Sequence, residues 1–170
     1  MSEEAPRHFV SITFLGAILL AFSAQAAFDA DGVQLGGSEQ DVKKRYPSAH
    51  CKPLEWGSKA ADRRCDDAKI RFAGLEARIT FYLRRNAVEA FDVRFSTRDT
   101  EKLAQVLKGR YGVPLSEERE APAAGKSPPL HKILWEAKGA RALLTSAPDK
   151  RRGSLLVTRG DFEQEIYRVR

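Results

Sequence analysis

LEARITFYLR (Leu75–Arg84) and FDVRF (Phe91–Phe95) decide how this chain is read. In the first, Leu75, Ala77, Ile79, Phe81 and Leu83 alternate with Glu76, Arg78, Thr80, Tyr82 and Arg84. In the second, Phe91, Val93 and Phe95 alternate with Asp92 and Arg94. A period of two sends successive side chains to opposite faces, so both segments read as half-buried antiparallel strands. Both carry their apolar residues at odd positions. The hairpin joining them therefore needs an odd loop such as Arg85-Asn86-Ala87, or a bulge; a plain two-residue Asn-Ala turn would set Phe81 opposite Asp92.

The pattern extends outward in both directions. Ile70 and Phe72 alternate with Lys69 and Arg71. Upstream, Ser38-Glu39-Gln40-Asp41 reads as a capping box opening a short helix that ends at Tyr46-Pro47. Downstream, Thr97 or Asp99 caps a second helix with Leu103, Val106, Leu107 and Tyr111 on one stripe, and Gly112 is placed to end it. Residues 115–129 are polar and Pro-rich, a surface loop. Three more strands are expected at Ile133–Ala137, Arg141–Ser146 and Ser154–Arg159, then a short terminal helix capped within Asp161–Gln164 and bearing Phe162, Ile166 and Val169.

The two halves match each other. Ile70, Phe72, Ala77, Arg78 and Phe81 correspond to Ile133, Trp135, Ala140, Arg141 and Leu144 at an offset of 63, and Arg45-Tyr46 corresponds to Arg110-Tyr111 at an offset of 65. The expected fold class is α+β: a helix followed by an antiparallel three-stranded meander, duplicated, the two copies sharing one sheet surface with the helices packed on one face. With 170 residues, 42% apolar and 31% charged, the chain suits a single domain. That domain is read as residues 27–170, with repeats at about 36–96 and 97–160 and a tail at 161–170.

Phe9–Phe22 is uncharged, and Ser23-Ala24-Gln25-Ala26 supplies small residues where a signal peptidase reads. Residues 1–26 are therefore expected to be a signal peptide cut between Ala26 and Ala27, the run being short of the roughly 20 apolar residues of a spanning helix. Glu3 and Glu4 depart from the usual net-positive start. The product is expected in the periplasm or secreted, with no transmembrane segment. Without Arg7, Glu3 and Glu4 its formal net charge is +7, a balance that favours encounter with anionic partners.

Cys51 and Cys65 are the only cysteines. In an oxidising compartment they read as a disulfide closing a local loop. The alternative, a metal site drawn from His50, Cys51, Cys65, Asp66 and Asp67, lacks the two-to-four-residue ligand spacing of zinc sites, so neither metal nor cofactor is expected. His131 reads as an exposed residue at a strand start, Asp66-Asp67 as a charged turn. Asp29-x-Asp31-Gly32 begins like a calcium loop, but its Gly comes early and Gln40 stands at the closing position. Arg159-Gly160-Asp161 resembles an adhesive tripeptide, although a turn and helix cap explain it. No Ser context suggests a nucleophile elbow, and the basic residues lack the aromatic platform of single-strand nucleic-acid binders. The chain is expected to be neither an enzyme nor a nucleic-acid binder.

Leu35-Gly36-Gly37-Ser38, Val42, Tyr46-Pro47 and Cys51, followed by a meander, resemble small exported bacterial proteins of the β-lactamase-inhibitor-like fold. More weakly they resemble the small outer-membrane-assembly lipoprotein family, which opens with a similar Leu-Gly-x-Ser turn. The chain departs from the lipoproteins in having no lipid-bearing Cys. The resemblance implies a non-catalytic protein-binding module acting through its sheet or loops.

Alternation alone nominates the face: Arg71, Arg78, Tyr82, Arg94, Leu134, Leu143 and Leu156 share the outward parity. The three leucines are either covered by Phe162, Ile166 and Val169 of the tail, the favoured reading, or left open as a contact patch. The expected function is binding of an envelope or secreted protein partner through this face. The alternative is a basic, envelope-associated structural protein held on anionic lipid or glycan.

Overall fold

The computed structural model describes residues 28–119 and 130–166. The expected leader and its cleavage point, Val169 and most of the Pro-rich loop lie outside the described residues. The chain enters through a small hairpin, β1 (Asp29–Ala30) and β2 (Val33–Gln34). It then forms α1 (Glu39–Arg45), β3 (His50–Pro53), β4 (Arg63–Phe72), β5 (Leu75–Arg84) and β6 (Ala87–Ser96). A 3-10 turn at Thr97–Asp99 leads into α2 (Thr100–Tyr111), β7 (Ser116–Arg119), β8 (His131–Ala137), β9 (Ala140–Ser146), β10 (Arg152–Arg159) and α3 (Phe162–Glu165).

These strands form one eight-stranded antiparallel sheet in the order β3-β4-β5-β6-β10-β9-β8-β7. The expected α+β class is corrected accordingly. The protein is mostly sheet, with few helices, and each half contributes four strands instead of three. The missed strands are β3 (HCKP) and β7 (SEER). Both are four-residue edge strands without apolar alternation, and only pairing with β4 and β8 defines them. Two further readings change. Asp66-Asp67 lies inside β4 instead of in a turn, and Ser116–Arg119, assigned to the surface loop, is β7. Nor do all helices share a face, because α3 packs on the side opposite α1 and α2.

Local chemistry accounts for the connections. Ala73-Gly74, Arg85-Asn86 and Lys138-Gly139 all take positive φ, as two-residue turns matched to strand twist require. At the β5–β6 hairpin, a shift between Tyr82 and Leu83 leaves an extra residue, Glu89, on β6; this restores Phe81 opposite Phe91. Ser38 and Asp41 form the reciprocal capping box of α1. The α2 start differs from the expected cap: neither Thr97 nor Asp99 supplies a side-chain acceptor, and the Thr100 hydroxyl donates to the Thr97 carbonyl instead.

The inner sheet face carries the core. Phe81, Phe91, Val157, Ala142 and Trp135 lie in one register row. Phe72, Phe81 and Trp135 belong to a single buried cluster that includes Val42 and Tyr46 of the α1 end and Leu103, Leu107 and Tyr111 of α2. The duplicated Arg-Tyr pairs have a shared task. Tyr46 donates to the Ala30 carbonyl and Tyr111 to the Asp29 carbonyl, each at 3.1 Å. Arg45 donates to the Asp31 carbonyl at 2.8 Å and Arg110 to its carboxylate at 2.6 Å. The two halves thus hold the β1–β2 hairpin between them. Burial raises both tyrosine pKa values well above the usual phenol range.

Gly153 sits where β10 crosses the Phe95 ring. A Cβ there would lie 2.5 Å from the ring and 3.0 Å from the Thr145 carbonyl oxygen. Gly109, exposed on α2, has open space around it. Denaturant unfolding should therefore show opposite signs: Gly153→Ala costing about 2 kcal/mol through overpacking, Gly109→Ala gaining about 0.5–1 kcal/mol through helix propensity.

Candidate functional site: the open sheet face

Register places the outward residues in rows. One row runs across six strands as Asp66, Thr80, Asp92, Leu156, Leu143 and Leu134. Two residues along each strand, Arg78 stands opposite Arg94, which stands opposite Ser154, then Thr145 and Lys132. A further step brings Arg71 opposite Glu76 on one side and Ser96 opposite Arg152 on the other. All seven nominated residues, Arg71, Arg78, Tyr82, Arg94, Leu134, Leu143 and Leu156, lie on this face.

They do not all remain accessible. Phe162 and Ile166 cover the end of the face at Tyr82 and do not pack on the leucines. Phe162 packs on the Tyr82 ring at 5.4 Å between centroids. Phe162 and Ile166 cluster with Ala60, Ala61 and Ala90. Trp56 donates through Nε1 to the Ile166 carbonyl at 3.0 Å, and Ser58 to the Glu165 carbonyl at 3.2 Å. The favoured reading of a tail over Leu134, Leu143 and Leu156 is therefore corrected for Phe162 and Ile166: the anchoring loop at 54–61 lies over β5–β6. The leucines are half-buried and belong to neither buried cluster.

The polar wiring differs between the two sides of the face. Asp92 accepts from Arg94 and from the Ser154 hydroxyl, each at 2.6 Å, and Thr80 donates to Asp66 at 2.8 Å. These carboxylates are committed to the sheet itself. Arg78 meets no carboxylate among the described residues and faces Arg94 across the strand pair. Like charges directly opposed are unfavourable in a sheet. The half around β8–β10 presents the leucines instead, so an apolar row adjoins a cationic tier.

Other chemistry-bearing groups are accounted for structurally. Cys51 and Cys65 stand directly opposite on β3 and β4 and are joined in a disulfide. Their sulfurs lie near Glu39, but disulfide sulfurs are not thiolate donors. Asp67 points inward, accepting from the Ser48 hydroxyl at 2.6 Å and the Lys69 amide at 3.1 Å, while Asp66 points outward with His50 opposite. Asp29 accepts from the Gly32 amide and Asp31 receives two guanidinium groups, which occupies the calcium-like carboxylates. Arg159 is bound bidentately by Glu89, so the tripeptide arginine is tied to β6. His131, only 12% exposed in its side chain, is less open than expected and joins Glu117 at 3.1 Å and Glu101 at 3.7 Å.

Sequence reasoning missed Arg98, Arg151 and Arg152, which converge with Lys69, already of outward parity, beside Arg71 and Arg78. The adjacent Arg151-Arg152 pair is a visible signal, but only the β6–β10 register carries it to β4 and β5. No protein-family model, curated protein or solved structure matches the chain.

One ion-pair group fastens an edge of the sheet that bears this face. Lys108 first, then His131, pulls the Glu117 carboxyl down to about 2 from its ordinary 4.5. A carboxyl more acidic when folded than unfolded stabilises the folded state above the unfolded pKa, and this contribution fades as pH falls through the folded one. Amide protection of Ser116–Arg119, corrected for intrinsic exchange, should decline between pH 4.5 and about 2, with Glu117→Gln removing that dependence.

Proposed function

We propose that this protein is a non-catalytic binding module, exported to the periplasm or beyond, that docks another protein on the open sheet face. The observation that carries this reading is the half-buried Leu134, Leu143 and Leu156 row beside cations on the same face, among them Arg78 and Arg152, that have no partner among the described residues. Apolar area can supply about 25 cal/mol per Å² on burial, while the flanking charge selects an acidic partner and speeds encounter. Export is supported by the leader-like start and by the Cys51–Cys65 disulfide. The kinship proposed is with exported inhibitor-like proteins. It rests on the Leu-Gly-Gly-Ser start and on a chain that runs helix then four strands twice.

A photo-crosslinking residue replacing Leu143, compared with one replacing Lys44 on α1, tests the docking face in an envelope extract. The expected result is one identified protein adduct from position 143 only, reduced roughly tenfold by Leu134→Asp. Absence of a protein adduct, or the same adduct from position 44, overturns the reading. Recovery on anionic vesicles or glycan, released by moderate salt, would favour the envelope-associated structural alternative.

A further inference from the structure

Where β4, β5, β6 and β10 meet the 3-10 turn, the open face falls into a cleft of about 990 Å³. Lys69, Arg71, Arg78, Arg98, Arg151 and Arg152 line it, against only the carboxylates of Glu76 and Asp99. Arg71 donates to the Gly74 carbonyl. The side chains of the other five cations have no hydrogen-bond or ion-pair partner among the described residues. Arginines elsewhere are commonly paired, as Arg63 is with Glu39, Arg141 with Glu136 and Arg159 with Glu89. Cations gathered without counter-charge repel one another, and an anionic ligand relieves that repulsion.

We infer that this cleft seats an extended acidic segment of a protein partner, rich in Asp and Glu. This deepens the docking reading above and rests on it. Lys69 and Arg71 stand on β4, Arg78 on β5, Arg152 on β10 with Arg151 just before it, and Arg98 in the 3-10 turn after β6; from β4 to β10, three strand spacings apart, this is a width of roughly 14 Å. That span matches about four or five residues of extended chain and exceeds what a single phosphate group could bridge. Each guanidinium offers a planar fork suited to a carboxylate. The apolar lining is limited to Ala68, Ile70 and Ala77, so no aromatic platform receives a base or sugar ring. Arg78 lies two strands and one face row from Leu156, about 12 Å away. The partner surface thus presents an apolar centre with carboxylates displaced by that distance.

The test uses a fluorescently labelled hexaglutamate peptide titrated into the purified protein by anisotropy. Saturable one-to-one binding that weakens with salt is expected. Arg98→Glu and Arg152→Glu, both at exposed positions, should each weaken it by about tenfold with unfolding temperature unchanged. Lys44→Glu on the opposite side should change it less than twofold. Equal weakening by Lys44→Glu, absence of saturation, or displacement by equimolar pyrophosphate overturns the inference, as does tighter cleft-dependent retention on phosphatidylglycerol vesicles. Failure here with the position-143 adduct intact removes the cleft ligand and leaves the docking face. Loss of that adduct with peptide binding intact removes the docking reading.

Discussion

The antiparallel pairing of β6 with β10 is the constraint on which the molecule depends. It sets Phe91 opposite Val157 and Val93 opposite Leu155, joining two four-stranded meanders along their last strands into one sheet. Each meander alone would leave a long hydrophobic strand edge open. Pairing removes both edges and brings the inner-face side chains of the two halves into one core. The clasp on the β1–β2 hairpin by Arg45, Tyr46, Arg110 and Tyr111 depends on the same join, because the two Arg-Tyr pairs come from different halves and meet at one turn.

The same junction organises the outer face. Parity along β10 is tied to parity along β6, so the leucines of β8–β10 and the arginines of β5 and β6 are placed in adjoining rows. The first half meets its own carboxylates at Asp92 and Asp66, and the second half has none in the leucine row. The resulting face is uneven: wired and covered near Tyr82, apolar toward β8, cationic toward the 3-10 turn. Among the described residues, the charge toward the 3-10 turn is largely left without intramolecular partners.

Much of this was legible in the chain, for a specific reason. β5 and the core of β6 alternate strictly, and parity assigns Arg78 and Arg94 to one surface; β8, β9 and β10 carry apolar residues on both faces, and Leu143 and Leu156 follow from matching the second half to the first. The capping box at Ser38 and Asp41 is equally local. What escaped was non-local. His50–Pro53 and Ser116–Arg119 have no pattern of their own and become strands through their neighbours' free backbone groups. Asp66-Asp67 resembles a turn, yet Ser48 and the Lys69 amide satisfy the inward carboxylate. The tail's destination depends on Trp56 and Ser58, more than a hundred residues earlier. Arg98, Arg151 and Arg152 join Lys69 only once β10 has found β6.

The outermost strands carry one more consequence. β3 ends in Pro53, which has no amide proton to offer, and β7 is Ser-Glu-Glu-Arg, nearly all charge. A sheet this wide could in principle add copies indefinitely at either margin, as fibrils do. With a missing donor at one border and a short ionic fringe at the other, growth by strand addition is discouraged at both. The rims, where any backbone would serve, are thereby closed off, and what the sheet still offers is its broad surface, where recognition is a matter of side chains.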